Sequence, residues 1–498
     1  ANQCKFVMGN PPFLGKTFQS AEQKNDLHRV MRNVKGAGDL DMVCAWYVLA
    51  AKYMHQAQWH HDTLCGLADA QQPAEPATPF GLTAKSMASL TGTEPELPRC
   101  GFVSTNSVVQ GEQVGVLWSY LQSQGVQIQF AHRSFKWSNE ARGKAAVHCV
   151  IIGFSRVLPD VFRLFEYATI NSAPHETIAS AINPYLVNAP TILLVNRKNP
   201  ICDVPEMRFG SMPRDDGNFV LTGQEKDELL KIEPEVNDWI RPYIGAQEFL
   251  NKGDRWCLWL VNTPPAAIKS MPRIYERIQR VRDFRAASNA ASTRKFAATP
   301  TLFCQIAQPE SNYLLIPRVS SERRAYVPIG FISKNVIASD AVLIIPDASL
   351  FHFGVITSAM HNAFMRLTCG RMKSDFRYSK DIVYNNFPWP GFAGEPISDK
   401  HRNAIEQAAQ CVLDARAQFA DASLADLYDP LTMPPALLKA HQKLDTAVDA
   451  AYQPSGGKKS YASDAERVAF LFELYQRITS LLPAPAVKKT RKAKFTEY

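Results

Sequence analysis

Two kinds of apolar spacing run along this chain, and they divide it. Residues 4–8 (CKFVM) form a short apolar run that stops at Gly9-Asn10-Pro11-Pro12-Phe13. Two prolines forbid both helix and central strand there, so a loop must leave a strand end. Residues 39–58 carry apolar groups at helical spacing behind Asp39, which predicts a helix capped by that aspartate. Residues 101–104 (GFVS) read as a buried strand ending at Thr105-Asn106, followed by a helix around 110–122 and apolar strands at 126–132 and 147–154. This alternation predicts an α/β sheet. Between the first helix and the second strand, residues 66–98 are rich in Pro, Ala, Thr and Glu without periodicity and read as a surface insertion. Beyond about 190 the pattern changes to short strands with many Pro and Arg, until amphipathic helices return over 398–482.

Composition narrows the class. A chain of 498 residues with 46% hydrophobic and 20% charged residues predicts two or three domains and excludes disorder throughout. The net charge of +8 permits a nucleic-acid partner without establishing one. Ten cysteines stand singly with no CxxC pair, which fits free thiols in a reducing compartment, so the cytoplasm is the expected location. His55, His60, His61 and Cys65 are close in sequence, but adjacent histidines on a helix point apart, so no metal site is expected. No stretch approaches the roughly 18 uninterrupted apolar residues of a membrane span, and no Walker loop or Gly-x-Ser-x-Gly elbow occurs.

The tetrad Asn10-Pro11-Pro12-Phe13 is the most specific feature. An exocyclic amine on adenine is a poor nucleophile because its lone pair is delocalised into the ring. Two hydrogen-bond acceptors can localise that lone pair and aim it at a methyl donor. The Asn10 side-chain oxygen and the Pro11 carbonyl can each accept one N–H, with Pro12 helping to fix their directions. Phe13 would stack on the base. A base inside a duplex is out of reach, so it must be flipped out, and an aromatic face offsets part of the unstacking cost. The donor implied is S-adenosylmethionine. Taken alone, the tetrad reads equally well as a rigid turn.

Context separates these readings. GNPPFLGKTFQSAEQK, GFVSTNSVVQGEQV and FAHRSFKWSNEARGKAAVHCVIIGF resemble the MmeI-type family of single-chain, adenine-specific DNA methyltransferases. SMPRDDGNF, PYIGAQEFL, YLLIPRVSSERRAYVPIGF and CGRMKSDFRYSKDIVYNNFPWP are similar to that family's target recognition domain, and MPPALLKAHQKLDTAVDAAY to its C-terminal helices. The resemblance implies a partial class I S-adenosylmethionine-dependent methyltransferase (Rossmann-like) sheet, then an α+β target recognition domain and a helical C-terminal domain. The expected bounds are 1–165, 190–395 and 396–485, with a basic tail at 486–498. It implies Asn10, Pro11, Pro12 and Phe13 as catalytic residues and a stacking role for Phe135 or Trp137 in Phe135-Lys136-Trp137. Asp39 and Asn106 lie where an open α/β sheet faces its ligand, although capping and turn roles explain them as well.

The family places its glycine-rich donor loop upstream of the tetrad, and only nine residues precede Asn10. Val34-Lys35-Gly36-Ala37-Gly38-Asp39 reads as a turn before a helix rather than a substitute. The expectation is therefore the C-terminal portion of a longer enzyme, with the donor-binding part and any fused nuclease upstream in the native chain, and little activity in this segment alone. The second region is dense in arginine. A guanidinium can bridge O6 and N7 of guanine or hold two phosphate oxygens, and Glu can accept from cytosine. Arg208, Arg214, Arg318, Glu322, Arg323, Arg324, Arg371, Lys373 and Arg377 are the candidates for contact with double-stranded DNA, concentrated at Ser320–Arg324 and Gly370–Tyr378. The expected function is site-specific N6-adenine methylation within a restriction-modification or phage-defence system. A noncatalytic sequence-recognition module working beside a separate catalytic chain is the alternative.

Overall fold

The computed structural model describes residues 4–32, 34–64, 98–137, 147–167, 172–392 and 394–481, with the side chains at 58–64, 136–137, 147 and 481 excepted. The expected surface insertion, apart from Pro98, and the basic tail lie outside the described residues. Among the described residues no helix is long and apolar enough to cross a membrane.

The N-terminal region is a mixed sheet in which six described strands run in the order β1-β2-β4-β3-β5-β6. They are β1 (Phe6–Gly9), β2 (Arg99–Thr105), β3 (Gln127–Trp137), β4 (Val147–Ser155), β5 (Phe162–Tyr167) and β6 (Pro174–Ala179). β1 and β2 are parallel, β4 is antiparallel to both β2 and β3, and β3 is parallel to β5. Three helices flank these strands in sequence: α1 (Ala21–Val30), α2 (Cys44–Leu64) and α3 (Glu112–Ser123). α1 starts in a capping box in which Ser20 and Gln23 exchange side-chain and backbone hydrogen bonds, satisfying two donors that a helix start otherwise leaves unpaired. α2 docks through Tyr47, whose ring stacks on Phe154 at 5.1 Å and meets Phe102 edge-on at 5.3 Å. The Tyr47 hydroxyl shares a 2.8 Å hydrogen bond with Ser104, so the buried ring also has a polar partner.

α2 begins at Cys44 rather than at Asp39, which corrects the sequence expectation. Tertiary hydrogen bonds hold residues 41–42 out of the helix: the Asp41 N–H donates to Gln113, the Met42 N–H donates to the Leu14 carbonyl, and the Asp41 carboxylate accepts from the Lys16 N–H. Asp39 closes a short 3-10 turn, Ala37–Asp39, entered through Gly36 at φ +84°, and pairs its carboxylate with Lys16.

The second region contains three small sheets. One pairs β14 (Ile337–Ala338), β9 (Ile240–Ile244), β10 (Arg255–Leu258) and β8 (Val220–Thr222), and packs its own apolar core against helix α4 (Pro272–Ala286) through Ile274, Ile278 and Val281. Another runs β13 (Gly330–Ile332), β11 (Tyr313–Pro317), β15 (Val342–Pro346) and β7 (Arg208–Phe209). The smallest is β12 (Val319–Ser320), β17 (Asp375–Arg377) and β16 (Gly370–Met372). Helices α5 (Leu350–Thr357) and α6 (Ala359–Thr368) then lead to the C-terminal helices α7 (Asp399–Ala417), α8 (Pro435–Ala451) and α9 (Asp464–Leu481).

The C-terminal helices are not a separate appendage. Their apolar faces join the same continuous core as α2, α3 and β11. Gly354 on α5 explains one close crossing, because a Cβ there would lie 2.7 Å from Ile405 of α7. Asp445 of α8 accepts from the Tyr326 hydroxyl at 2.6 Å and from the Ala359 N–H at 2.7 Å, tying α8 to the start of α6.

β1 has one partner, β2, and no other described strand pairs with its second edge. Phe6 is 62% exposed and Met8 86% exposed on this short strand.

Candidate active site and recognition surface

Strand direction brings the candidate residues to one edge. β1, β2 and β3 point the same way and β4 points back, so the tetrad after β1, Asn106 after β2, Phe135 near the end of β3 and His148 at the start of β4 share one end of the sheet. With strands about 4.8 Å apart, β1 and β3 are roughly 14 Å apart, a gap spanned by β2 and β4.

Within the tetrad Pro11 is buried, Asn10 and Pro12 are exposed, and Phe13 is half-buried against the main core. Asn10 makes no hydrogen bond to another described residue, so its carboxamide is open to a ligand. The loop that follows is held rather than loose, through the Lys16, Leu14, Asp41 and Gln113 hydrogen bonds described above and through Gln19, which donates to the Leu14 and Leu40 carbonyls. The half-buried Phe135 stacks on Tyr167 at 5.5 Å. It follows a register shift between His132 and Phe135, a bulge that re-aims the strand end. His132 shares a 2.9 Å hydrogen bond with the Tyr167 hydroxyl and stacks on Phe165 at 4.2 Å, and burial lowers its pKa. Trp137 ends β3, and its side chain lies outside the described residues. Asn106 is only 5% exposed, and both polar ends of its carboxamide lack a partner among the described residues.

The two arginine-rich clusters, 46 residues or more apart in sequence, meet on the three-stranded sheet. Val319 pairs with Arg377, Ser320 with Phe376, and Arg371 with Phe376. Arg371 donates to Glu322 at 3.0 Å and lies over the Phe376 ring at 4.4 Å. The same guanidinium reaches into the N-terminal region, donating through Nε to Gln110 at 3.2 Å. Glu322 also lies 3.5 Å from His148 on β4. The backbones touch here too: the Gly111 N–H donates to the Thr368 carbonyl, and a Cβ on Gly111, whose φ is +71°, would approach the Gly370 Cα to 3.1 Å. Only glycine meets both demands. The β16–β17 hairpin thus rests directly on the end of the sheet that carries the tetrad.

Lys373 and Ser374 form the two-residue tip of that hairpin, with Lys373 exposed at φ +58°, a left-handed conformation more usual for Gly or Asn. Arg377 is exposed on β17. Arg323 is exposed and lies 3.5 Å from Asp429. Burial lowers the pKa of Arg324, opposed by the nearby Asp375 and Asp429 carboxylates. The remaining candidates lie elsewhere in the second region. Arg208 pairs with Glu206 at 3.3 Å. Arg214, at φ +46°, donates to Thr293 at 2.8 Å. Arg318 donates to the Asp340 carbonyl at 2.8 Å and lies over Phe209 at 4.8 Å, and desolvation followed by the Arg377 charge lowers its pKa. Sequence reasoning missed Gln110, Gln113 and His148, because a lone glutamine or strand histidine carries no chemical signature until tertiary contact supplies one.

Three family descriptions match this chain in order: the MmeI DNA-methyltransferase domain over residues 1–65 and 83–166, the MmeI target recognition domain over 188–391, and the MmeI C-terminal domain over 397–483. The chain belongs to the MmeI family and carries a methyltransferase domain, a target recognition domain and a C-terminal helical domain. It is 36% identical over 474 residues to DNA methyltransferase A of Bacillus subtilis (strain 168), a match spanning 95% of this chain and 48% of that protein. Among solved structures it is similar to the type IIL restriction-modification enzyme MmeI in complex with DNA, with 44% identity and a TM-score of 0.80 over 96% of this chain and 57% of that one. The chain therefore spans about half the length of these relatives.

Proposed function

We propose that this chain supplies the target-base and sequence-reading parts of an S-adenosylmethionine-dependent DNA methyltransferase that modifies the N6 amine of a flipped adenine, within a restriction-modification or phage-defence system. The observation that carries this reading is the open Asn10 carboxamide in a proline-fixed loop on the same sheet edge as Phe135, with the arginine-rich hairpin seated beside it. The relatives' names, one a DNA methyltransferase and one a restriction-modification enzyme with DNA, support it.

In this mechanism duplex DNA lies across the hairpin and the adenine swings toward the edge. Asn10 and the Pro11 carbonyl accept the two amine hydrogens and hold the lone pair outward, while Phe13 stacks on one face of the base. Phe135 is assigned the opposing aromatic surface. The unpartnered Asn106 carboxamide is a polar group that a bound nucleotide would complete. S-adenosylmethionine supplies the methyl group. The described residues fit the base better than this donor: Lys16 engages both Asp39 and Asp41, and Gly36 leads into a 3-10 turn rather than a strand-to-helix loop. Donor binding is assigned to a segment that pairs with the open edge of β1.

The recognition-module alternative is favoured by one observation, the lack of a fitting donor pocket among the described residues. Transfer of labelled methyl groups from S-adenosylmethionine to mixed-sequence plasmid DNA separates the two. The full native protein, its Asn10→Ala form and this segment are compared, and modified bases are mapped by sequencing. Methyladenine at one short site, made by the native protein and not by Asn10→Ala, is expected. DNA binding by the native protein with no methylation would establish the recognition module instead.

A further inference from the structure

Residues 264–300 hold eight Lys and Arg against two Asp and Glu, a net +6 in a chain whose total is +8. The centre of this segment is α4, whose buried side faces the β8–β9–β10 core. Arg273, Arg277, Arg280 and Phe284 fall at i, i+4, i+7 and i+11, one stripe along the helix. The side chains of Arg273 and Arg280 are about three-fifths exposed, and Phe284 is also exposed. Glu276 sits between the two arginines, 3.5 Å from Arg273 and 2.5 Å from Arg280.

The stripe is held against the loop that carries Arg214, one of the candidate DNA-contacting residues. Arg277 donates to the Asn218 carbonyl at 3.0 Å. Arg285, on the buried side of the same helix, directs its guanidinium to five backbone carbonyls, those of Pro213, Arg214, Phe296, Thr299 and Leu302, at 2.8–3.2 Å. Every donor of that buried cation is satisfied, so the helix and the loop carrying Arg214 form one unit.

We propose that the Arg273–Arg277–Arg280 stripe is a phosphate-backbone track for the duplex flanking the read sequence. This inference rests on the DNA-reading function proposed above. Seven helical residues separate Arg273 from Arg280, about 10 Å of rise, which matches about three phosphates along one strand at 3.4 Å of axis each. Arginine matches phosphate in charge and in its two-pronged donor geometry, and it carries no sequence preference there. Glu276 keeps the free stripe partly neutralised, and bound phosphates compete with it for Arg273 and Arg280.

The test is anisotropy of a fluorescein-labelled, mixed-sequence duplex titrated with the 498-residue chain across about 50–200 mM salt. For the Arg273→Gln/Arg280→Gln double variant, the slope of log affinity against log salt should become shallower by close to 2, at about 0.9 per lost phosphate contact. Glu276→Gln should tighten binding several-fold, because it releases two arginines. A role for these residues in surface ion pairing alone predicts no such gain, since exposed pairs contribute little. Circular dichroism checks that α4 stays folded. Binding by the unaltered chain with identical slopes in every variant would overturn the track and leave the reading domain standing. No salt-dependent binding by the unaltered chain would overturn both.

Discussion

The tetrad loop and the recognition hairpin sit side by side yet are built on opposite principles. Asn10 to Phe13 is contiguous: prolines set the directions of two acceptors within four residues, and few distant contacts are needed to define them. The hairpin surface is assembled. Arg371 is defined by Glu322, 49 residues away in sequence, and by Gln110, 261 residues away. The group proposed to do the chemistry is thus local and rigid, and the groups proposed to choose the site depend on long-range packing. A local device is lost by changing one residue, whereas an assembled one can also be loosened from beneath.

The largest expected effect falls on the local device. Asn10→Ala in the full native protein should lower methyl transfer on the order of 10²-fold or more, the scale seen when one oriented polar group is removed from a reacting centre. DNA affinity should change little, and an equal loss of both would remove Asn10 from the chemistry. Next comes Arg371→Ala, which leaves Glu322 without its guanidinium and breaks the link to Gln110. We expect a stability loss of about 1–2 kcal/mol in urea titration and altered DNA affinity or site choice. Native affinity and an unchanged methylation site would show that the assembled cluster is structural only.

A third test reaches the packing of α8 against the start of α6. Burial raises the Asp445 carboxyl from 3.8 to about 6, despite the hydrogen bonds from Tyr326 and Ala359. The folded state therefore favours the neutral acid, so the stability this group contributes is full below the unfolded pKa and is lost as pH rises through about 6. Its whole span is at most about 3 kcal/mol. Asp445→Asn should lack that fall between about pH 4 and pH 7 when urea midpoints are compared with those of the unaltered protein. Parallel pH profiles in the two proteins would rule the group out. The smallest effect belongs to Lys373→Gly. Relief of the left-handed strain is partly cancelled by glycine's greater unfolded freedom, leaving a stability change within about 1 kcal/mol. Loss of the tip charge should still weaken DNA binding in salt titrations, and unchanged affinity would place the tip away from the duplex.

What could be read from sequence follows the same division. The strand before Asn10, the α/β alternation and the arginine-rich second region were legible because periodicity and proline act over a few residues. The start of α2 was not, since Gln113 and Leu14 hold residues 41–42 in a turn that Asp39 alone does not predict. Both arginine clusters were visible separately, but their union required the β12–β17 pairing across 56 residues. The α4 stripe was passed over because arginines mixed with Ile and Val look like an ordinary amphipathic helix until the fold shows which side is free. Whether Phe13 and Phe135 clasp a base was not readable at all, because that depends on how β1 and β3, separated by two other strands, align.

The open side of β1 affects how this chain behaves as a material. A strand with one edge unpaired among the described residues, carrying Phe6 and Met8, is a template on which another strand can add. Concentrated solutions of this chain should therefore self-associate through this edge sooner than through the arginine-rich face, whose like charges repel. A single lysine in place of Met8 would blunt the template and keep the segment monodisperse.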